Sequence, residues 1–513
     1  MDRRGSREPT TAIAPFFEAP PGNSNSESRM LLVSYCFPPD ATVGALRWQK
    51  LARFASELGW TLDVLTLDPT FMKHRDSTRL EDLPAGTRVF GVRPSRFLLD
   101  PLEHQVWLLT KRIRTALSRS RGPASAARPG AGEGGTDGRR TGRPGTVAVE
   151  DIALFPRRLR DVLRTYYAWA EHARYSAWAR RAAKLGVALA SRHPYRVVVT
   201  SAPPHATHDA GRRIAEASRL PLVVDLRDPW SLTRRVPEAV ASPLYRWFAR
   251  RGESRCLARA ALVVANTPEL RDALVRAHPG AEDRTIAVRN GCDDDPMPPS
   301  RHGSTFVIGF AGTVYFDRDP RALFRGAARV IRDLGLDPSR IRLEMVGAFD
   351  EHGGLPLTAI AGEEGIREFV RVGPPRPHRE TLDFFAGATM LVTFPGYNSS
   401  MTIPAKTFEY VRFDAWLLAL TERDSPLHRL LQETDADRVE PEDVAGIAAA
   451  IRRRYVEYRS GHRPKAVASD DRFGRKEQAR VLLREIERIA APARPAARTV
   501  RRPAESASRG GRS

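Results

Sequence analysis

Three pieces read together decide the fold: Ala388-Thr-Met-Leu-Val-Thr-Phe394, then Pro395-Gly396, then Ser399-Ser-Met-Thr-Ile-Pro-Ala-Lys-Thr-Phe-Glu-Tyr410. The first is apolar and β-branched, the character of a buried strand. Pro395-Gly396 breaks it into a loop, and Pro404 suits the first turn of a helix, where its missing N–H costs nothing. The pattern predicts a helix starting near Pro404 whose unpaired amides make an anion site. Lys406 and Glu409 lie three residues apart and share a face one turn in. A phosphate at the helix start, a cation beside it and a carboxylate one turn deeper suit a phosphate joined to a hydroxyl-rich ring. The plainer alternative is a Lys–Glu surface pair on an ordinary helix.

Working outward, the same strand–loop–helix grammar recurs on both sides. Toward the N-terminus, Arg29–Tyr35 reads as a buried strand and Cys36–Gly44 as the loop leaving it. A helix closed by Gly59 follows, then strands 61–67 and 87–92. Strand Arg196–Thr200 runs into Ser201-Ala-Pro-Pro-His205-Ala-Thr-His208, and strand Leu222–Leu226 runs into Arg227-Asp228-Pro229-Trp230. Both put polar groups at the carboxyl end of a buried strand, the ligand edge of parallel α/β sheets. A lone histidine in such a loop is more often structural, but two loops on one edge favour function. A second series begins at Phe306–Gly312 and continues through helix 321–334 and strands 342–347, 369–373 and 416–421. It ends in helices 426–433 and 441–455 and a last helix to about residue 489. No G-x-G-x-x-G is present, so no dinucleotide cofactor is signalled.

This arrangement divides the chain. Residues 1–29 are expected to be a disordered tail and 30–295 a first Rossmann-like domain, with 118–150 a disordered insertion and 151–190 a basic amphipathic helical region. A second such domain spans 301–456, a C-terminal helix 470–489, and a disordered basic tail 491–513. The expected fold class is α/β, two Rossmann-like domains facing across a cleft.

The 513 residues carry a formal charge of +21. It is concentrated in 111–150 (+6), 151–184 (+5) and 452–513 (+11), leaving a body close to neutral. A basic periphery suits an anionic membrane surface; nucleic acid is not expected as a partner, because aromatic interleaving and recognition motifs are missing. Cys36, Cys256 and Cys292 are few and far apart, which points to reduced thiols in a cytoplasmic protein without a zinc site. No apolar run is long enough for a membrane span.

In order and spacing these pieces resemble the GT-B glycosyltransferases, specifically the retaining family four. The resemblance covers most of 30–489 and rests on Phe37-Pro-Pro, Val43-Gly-Ala-Leu-Arg47, Ser201–His205, Asp225–Trp230, Asn290-Gly291, Gly309–Gly312, Val372-Gly373, Pro404–Tyr410 and Asp424-Ser-Pro426. It implies an N-terminal acceptor domain and a C-terminal domain holding a nucleotide-diphosphate sugar as donor substrate, with no other cofactor and no metal. Glu409 would bond the donor ribose, with Ile403, Pro404, Ala405, Gly312 and Thr313 around the phosphates and sugar. Arg318 and Lys406 would neutralise the diphosphate, Gly44 would let the first loop approach it, and Arg227 or Asp228 would sit near the sugar. The chain departs from the family pattern at Met401, where a glutamate is usual, and at Thr313, where an arginine is usual. The implied activity is retaining sugar transfer to a hydroxyl acceptor: a cell-surface glycan, a lipid-linked molecule or a secondary metabolite. The alternative is an altered nucleotide-sugar-binding or scaffold protein.

Overall fold

The computed structural model describes residues 13–21, 28–95, 105, 156–233, 236–312, 319–347, 351–352, 355–396, 398–468 and 471–491. The 118–150 insertion and the tail from 492 onward lie outside them. The N-terminal half builds one eight-stranded sheet from β1 (Phe17–Glu18), β2 (Ser28–Ser34), β3 (Trp60–Leu67), β4 (Arg88–Val92), β5 (Tyr195–Ala202), β6 (Leu222–Leu226), β7 (Leu262–Ala265) and β8 (Thr285–Ala287). Their spatial order is β1-β4-β3-β2-β5-β6-β7-β8. All neighbours are parallel except β1, which pairs antiparallel with β4. That edge strand lies inside the segment expected to be a tail. A two-residue strand carries too little pattern to be read ahead of its pairing.

The C-terminal half repeats the plan with β9 (Phe306–Gly312), β10 (Ile341–Gly347), the hairpin β11 (Glu351–His352) and β12 (Leu355–Pro356), then β13 (Val370–Gly373), β14 (Met390–Thr393), β15 (Trp416–Leu420) and β16 (Asp437–Val439). The main sheet runs β13-β10-β9-β14-β15-β16, parallel throughout. Each sheet is fully buried along its central strands, which is why their sequences are continuous apolar runs and not alternating ones. Helices cover both faces. Helices 157–190, 206–218, 243–259 and 268–277 lie on one face of the first sheet, and helices 43–57 and 475–490 on the other.

The 475–490 helix belongs to the last part of the chain yet packs on the first domain. Ala479, Leu482, Leu483 and Ile486 are buried against Trp48, Leu51 and Val264. Burying each of the three large side chains contributes about 2 kcal/mol. The chain therefore crosses between the domains twice, and the crossings touch where Cys292 pairs with Gly474.

Both sheets reverse their strand order, between β2 and β5 in the first and between β9 and β14 in the second. Ligands in open parallel sheets bind outside the carboxyl ends of strands at such a reversal, where neighbouring loops diverge and leave a crevice. The loops leaving β2, β5 and β14 carry Cys36–Thr42, Pro203–His205, and Pro395–Gly396 with Asn398–Lys406, and Gly44 lies in the first turn of the helix after β2.

Candidate functional site

On the second domain, the stretch after β14 is anchored to the end of β9. Lys406 Nζ donates to the Ala311 carbonyl at 2.6 Å. Tyr410 Oη accepts from the Ala311 amide and donates to the Ala311 carbonyl, both at 3.1 Å. Gly312 follows directly, and a Cβ there would lie 2.5 Å from Lys406 Nζ and 3.1 Å from Phe310 Cζ. The ammonium therefore occupies the space that a side chain at 312 would fill.

The helix expected from Pro404 is shorter than the sequence implies. It is a single turn, Thr407–Tyr410. Thr407 N and Phe408 N reach back three residues to Pro404 and Ala405, and the turn ends in the bend at Phe413–Ala415. Clamping on Ala311 holds the segment across the strand end and leaves no room for a longer first turn. The anion site drawn from a full helix N-terminus is thereby reduced to the Lys406 cation and the local loop amides. Ile403 packs into the second domain's core, Pro404 is half-buried and Ala405 exposed. Glu409 is half-buried and makes no side-chain hydrogen bond or ion pair among the described residues. Thr313 and Arg318 lie outside the described residues.

On the first domain, Arg227 is buried and consumed by carbonyls. Its Nε donates to Ala202 at 2.7 Å, one terminal nitrogen to Pro203 at 3.0 Å and the other to Gly44. It thus ties together the loops leaving β2, β5 and β6. Gly44 is needed for this packing, since a Cβ there would meet Cys36 Cβ at 3.3 Å. Asp228 differs. Its side chain is exposed and makes no hydrogen bond or ion pair among the described residues. Desolvation pushes its carboxyl above the usual range, and Arg227 pulls it back only in part.

His205 stacks on Trp230 with ring centroids 5.0 Å apart, and His208 lies 5.7 Å from the same indole. Thr200 spends its hydroxyl proton on the Val223 carbonyl at 2.9 Å, so His208 Nδ1, 2.8 Å from that oxygen, must be the donor. His208 Nε2 is then a bare lone pair, and it and His205 Nδ1 are buried without a partner among the described residues. Burial holds both imidazoles at about 3, with His208 and Arg227 adding to the effect at His205 and Arg227 at His208. Both are neutral near neutrality.

The two carboxyl edges touch. Met401, at the position where the family pattern has a glutamate, is 8% exposed and packs in the first domain's core with Trp230 and Leu270. Thr267 Oγ1 donates to its carbonyl at 2.6 Å, and Thr233 Oγ1 donates to Asn398 Oδ1 at 3.1 Å. Thr267, Asn398 and Tyr410 were not legible as site residues, because their partners are about a hundred or more positions away in the chain. Arg47, quoted above within a motif, is structural: it forks onto Asp225 at 3.0 Å through two nitrogens, and Asp225 also accepts from Trp48 and Ser201.

Solved structures similar over nearly the whole fold include sucrose-phosphate synthase of Thermosynechococcus elongatus, with TM-score 0.55 and 12% identity, covering 90% of this chain and 99% of that one. A UDP-forming α,α-trehalose-phosphate synthase from Burkholderia xenovorans gives 0.53 and 13%, covering 91% and 100%. Anabaena HepE, crystallised with UDP and glucose, gives 0.52 and 13%, covering 90% and 100%. The architecture is therefore that of the GT-B glycosyltransferases, two Rossmann-like domains facing across a cleft. Sequence likeness is partial. A D-inositol 3-phosphate glycosyltransferase of Catenulispora acidiphila is 35% identical over 154 residues, covering 28% of this chain and 37% of that protein. One from Streptosporangium roseum is 32% identical over 170 residues, covering 30% and 38%. The chain thus spans less than two-fifths of the length of these relatives. No family model matches the chain.

Proposed function

We propose that this chain is a glycosyltransferase that moves a sugar, with retention, from a nucleotide-diphosphate sugar to a hydroxyl acceptor. One observation carries the reading. The stretch clamped on the end of β9 brings the Lys406 ammonium against Gly312 and leaves Glu409 unpaired one turn later. A cation beside the phosphates and an acceptor-only carboxylate for the vicinal ribose hydroxyls are what a nucleotide-sugar site needs. The UDP held by Anabaena HepE, on the same fold, supports that class of donor.

On this reading the second domain binds the donor. Lys406 and the backbone amides of Ile403 and Ala405 offset charge growing on the departing diphosphate. Arg227 is a positioning residue: it fixes the Gly44 loop and the β5 loop against each other and spends its donors on carbonyls. Asp228, with its raised affinity for a proton, hydrogen-bonds the incoming hydroxyl or the sugar. Front-face attack fits the site, the leaving phosphate oxygen taking the acceptor's proton, so that no nucleophile–base pair is needed. Met401 replaces a sugar-binding carboxylate with an interdomain contact, and the donor's hydroxyls are then read by other groups.

The test is a screen of UDP-, GDP- and dTDP-sugars for thermal stabilisation, followed by turnover of the stabilising donor. A donor that binds and turns over supports transfer. Binding without turnover on any acceptor supports the scaffold alternative, and no binding by any nucleotide sugar overturns both.

A further inference from the structure

The outer face of helix 243–259 is unusual for a solvated surface. Arg246, Trp247, Arg250, Arg251 and Arg255 are exposed, and Trp247 is 53% exposed. Residues at i, i+4 and i+8 follow one another along a helix side, so Trp247, Arg251 and Arg255 form one row, with Arg246 and Arg250, themselves four apart, forming a second row beside it. The helix's only acid, Glu253, points inward, where Ser231 and His278 bond it at 2.7 Å and 2.8 Å. None of the four exposed guanidinium groups makes a hydrogen bond or ion pair with a described residue; Arg251 alone has a ring contact, 5.6 Å over Trp247.

Helix 157–190 extends this face. The two helices meet where His172 stacks on Phe248 at 3.7 Å, and Phe248 abuts Trp247. Toward its start, helix 157–190 exposes Arg157, Arg158, Leu159 and Val162, the last at 63%. The acids near that end, Asp161 and Glu238, are both engaged by Arg164. The face thus combines unpaired guanidinium groups with bare aliphatic and indole surface.

We propose that this face docks the protein on an anionic phospholipid bilayer. Guanidinium groups meet lipid phosphates, while Trp247, Val162 and Leu159 enter the headgroup–acyl boundary, as on interfacial amphipathic helices. A nucleic-acid duplex matches the arginines but offers nothing to Leu159 and Val162, which decides between the two. No helix among the described residues is long and apolar enough to cross a membrane. The opposite face of helix 243–259 packs on Trp230, since a Cβ at Gly252 would lie 2.6 Å from that indole. The docking face is therefore about one helix thickness, ~10 Å, from the acceptor side of the cleft. Joined to the transfer reading, on which this last step alone rests, the acceptor is a hydroxyl carried on a lipid.

The experiment is co-sedimentation of the full chain with phosphatidylcholine vesicles, with and without about one-third phosphatidylglycerol. Expected is binding to the anionic vesicles only, weakening with salt. Replacing Arg246, Arg250, Arg251 and Arg255 by Gln should cut it at least tenfold with an unchanged melting temperature, and Trp247→Ala alone should cut it severalfold. Arg329→Gln with Arg332→Gln, exposed on the other domain, should leave it unaltered. Equal binding to neutral vesicles, no binding at all, or undiminished binding by both the quadruple variant and Trp247→Ala overturns the proposal. So does duplex DNA binding that the quadruple variant loses while vesicle binding stays. Should the quadruple variant not fold, Trp247→Ala and the Arg246→Gln/Arg250→Gln pair decide. None of these readings involves turnover, so failure of the transfer reading is separately visible.

Discussion

Thr267 Oγ1 donates to the Met401 carbonyl at 2.6 Å and accepts from Leu270 N at 3.1 Å. One hydroxyl thus caps the 268–277 helix of the first domain and grips the loop of the second. Thr267→Ala should remove both, costing about 1–2 kcal/mol in denaturant unfolding, whereas Thr267→Ser should keep most of that stability. Equal stability of the Ala and Ser variants would show that the clasp contributes nothing.

Glu409 has no side-chain partner to lose among the described residues, so Glu409→Ala should leave unfolding within about 0.5 kcal/mol of the parent. Donor binding should fall about ten- to a hundredfold, the worth of hydrogen bonds to a charged group. Calorimetric titration with the donor found in the screen checks this. Unchanged affinity would remove Glu409 from the site.

Gly312→Ala places a methyl group where Lys406 Nζ sits. The lysine end is flexible and can move, but Gly312 stands at φ +159°, where a side chain is strained, so the fold should lose about 1–2 kcal/mol. The ammonium, however, is displaced from Ala311, and affinity for the donor should drop more than stability does. A matched pair of titration and melting curves separates the two.

Acid sensitivity has a definite sign at His205 and His208. Their folded values of about 3 lie below the unfolded value near 6.5, so between these limits the unfolded chain binds more protons and stability rises with pH. Stability should decline from about pH 7 to about pH 5, by at most ~1.4 kcal/mol per pH unit for each imidazole. Glu171, whose carboxyl is pushed up by burial, acts the other way. His208→Asn should flatten the decline relative to the parent, a comparison in which the carboxylates cancel. An equally steep decline in the variant would show that His208 is not its source.

Elements that the chain specifies locally were legible. Helix 321–334 falls where the sequence put it and is closed by Gly335 at φ +57°, a conformation glycine adopts without cost. The helix expected from residue 426 starts there, with Ser425 as its cap accepting from His428 N at 3.2 Å. Features set by distant partners were not. Pro404 carries the signature of a helix start, yet the turn waits for Thr407 because Lys406 and Tyr410 bond to Ala311, about a hundred residues earlier. Met401 reads as a lost carboxylate; that it enters the other domain's core depends on partners at 230 and 270. The outer face of helix 243–259 is not legible from sequence, because arginines every few positions look like an ordinary wet face. The clue was that its single acid falls on the inward side.

The pairing of Cys292 with Gly474 bears on how the lobes can move. Two chain segments pass from one lobe to the other side by side, and Arg475 N donates to the Cys292 carbonyl at 2.8 Å while Cys292 N donates to Phe473 at 2.7 Å. Gly291 lies so close to the second segment that a Cβ would fall 2.6 Å from Arg475 N. Such a double strap behaves as an axle. It permits the jaws to swing about a line through residues 292 and 474, and forbids them to slide sideways or drift apart.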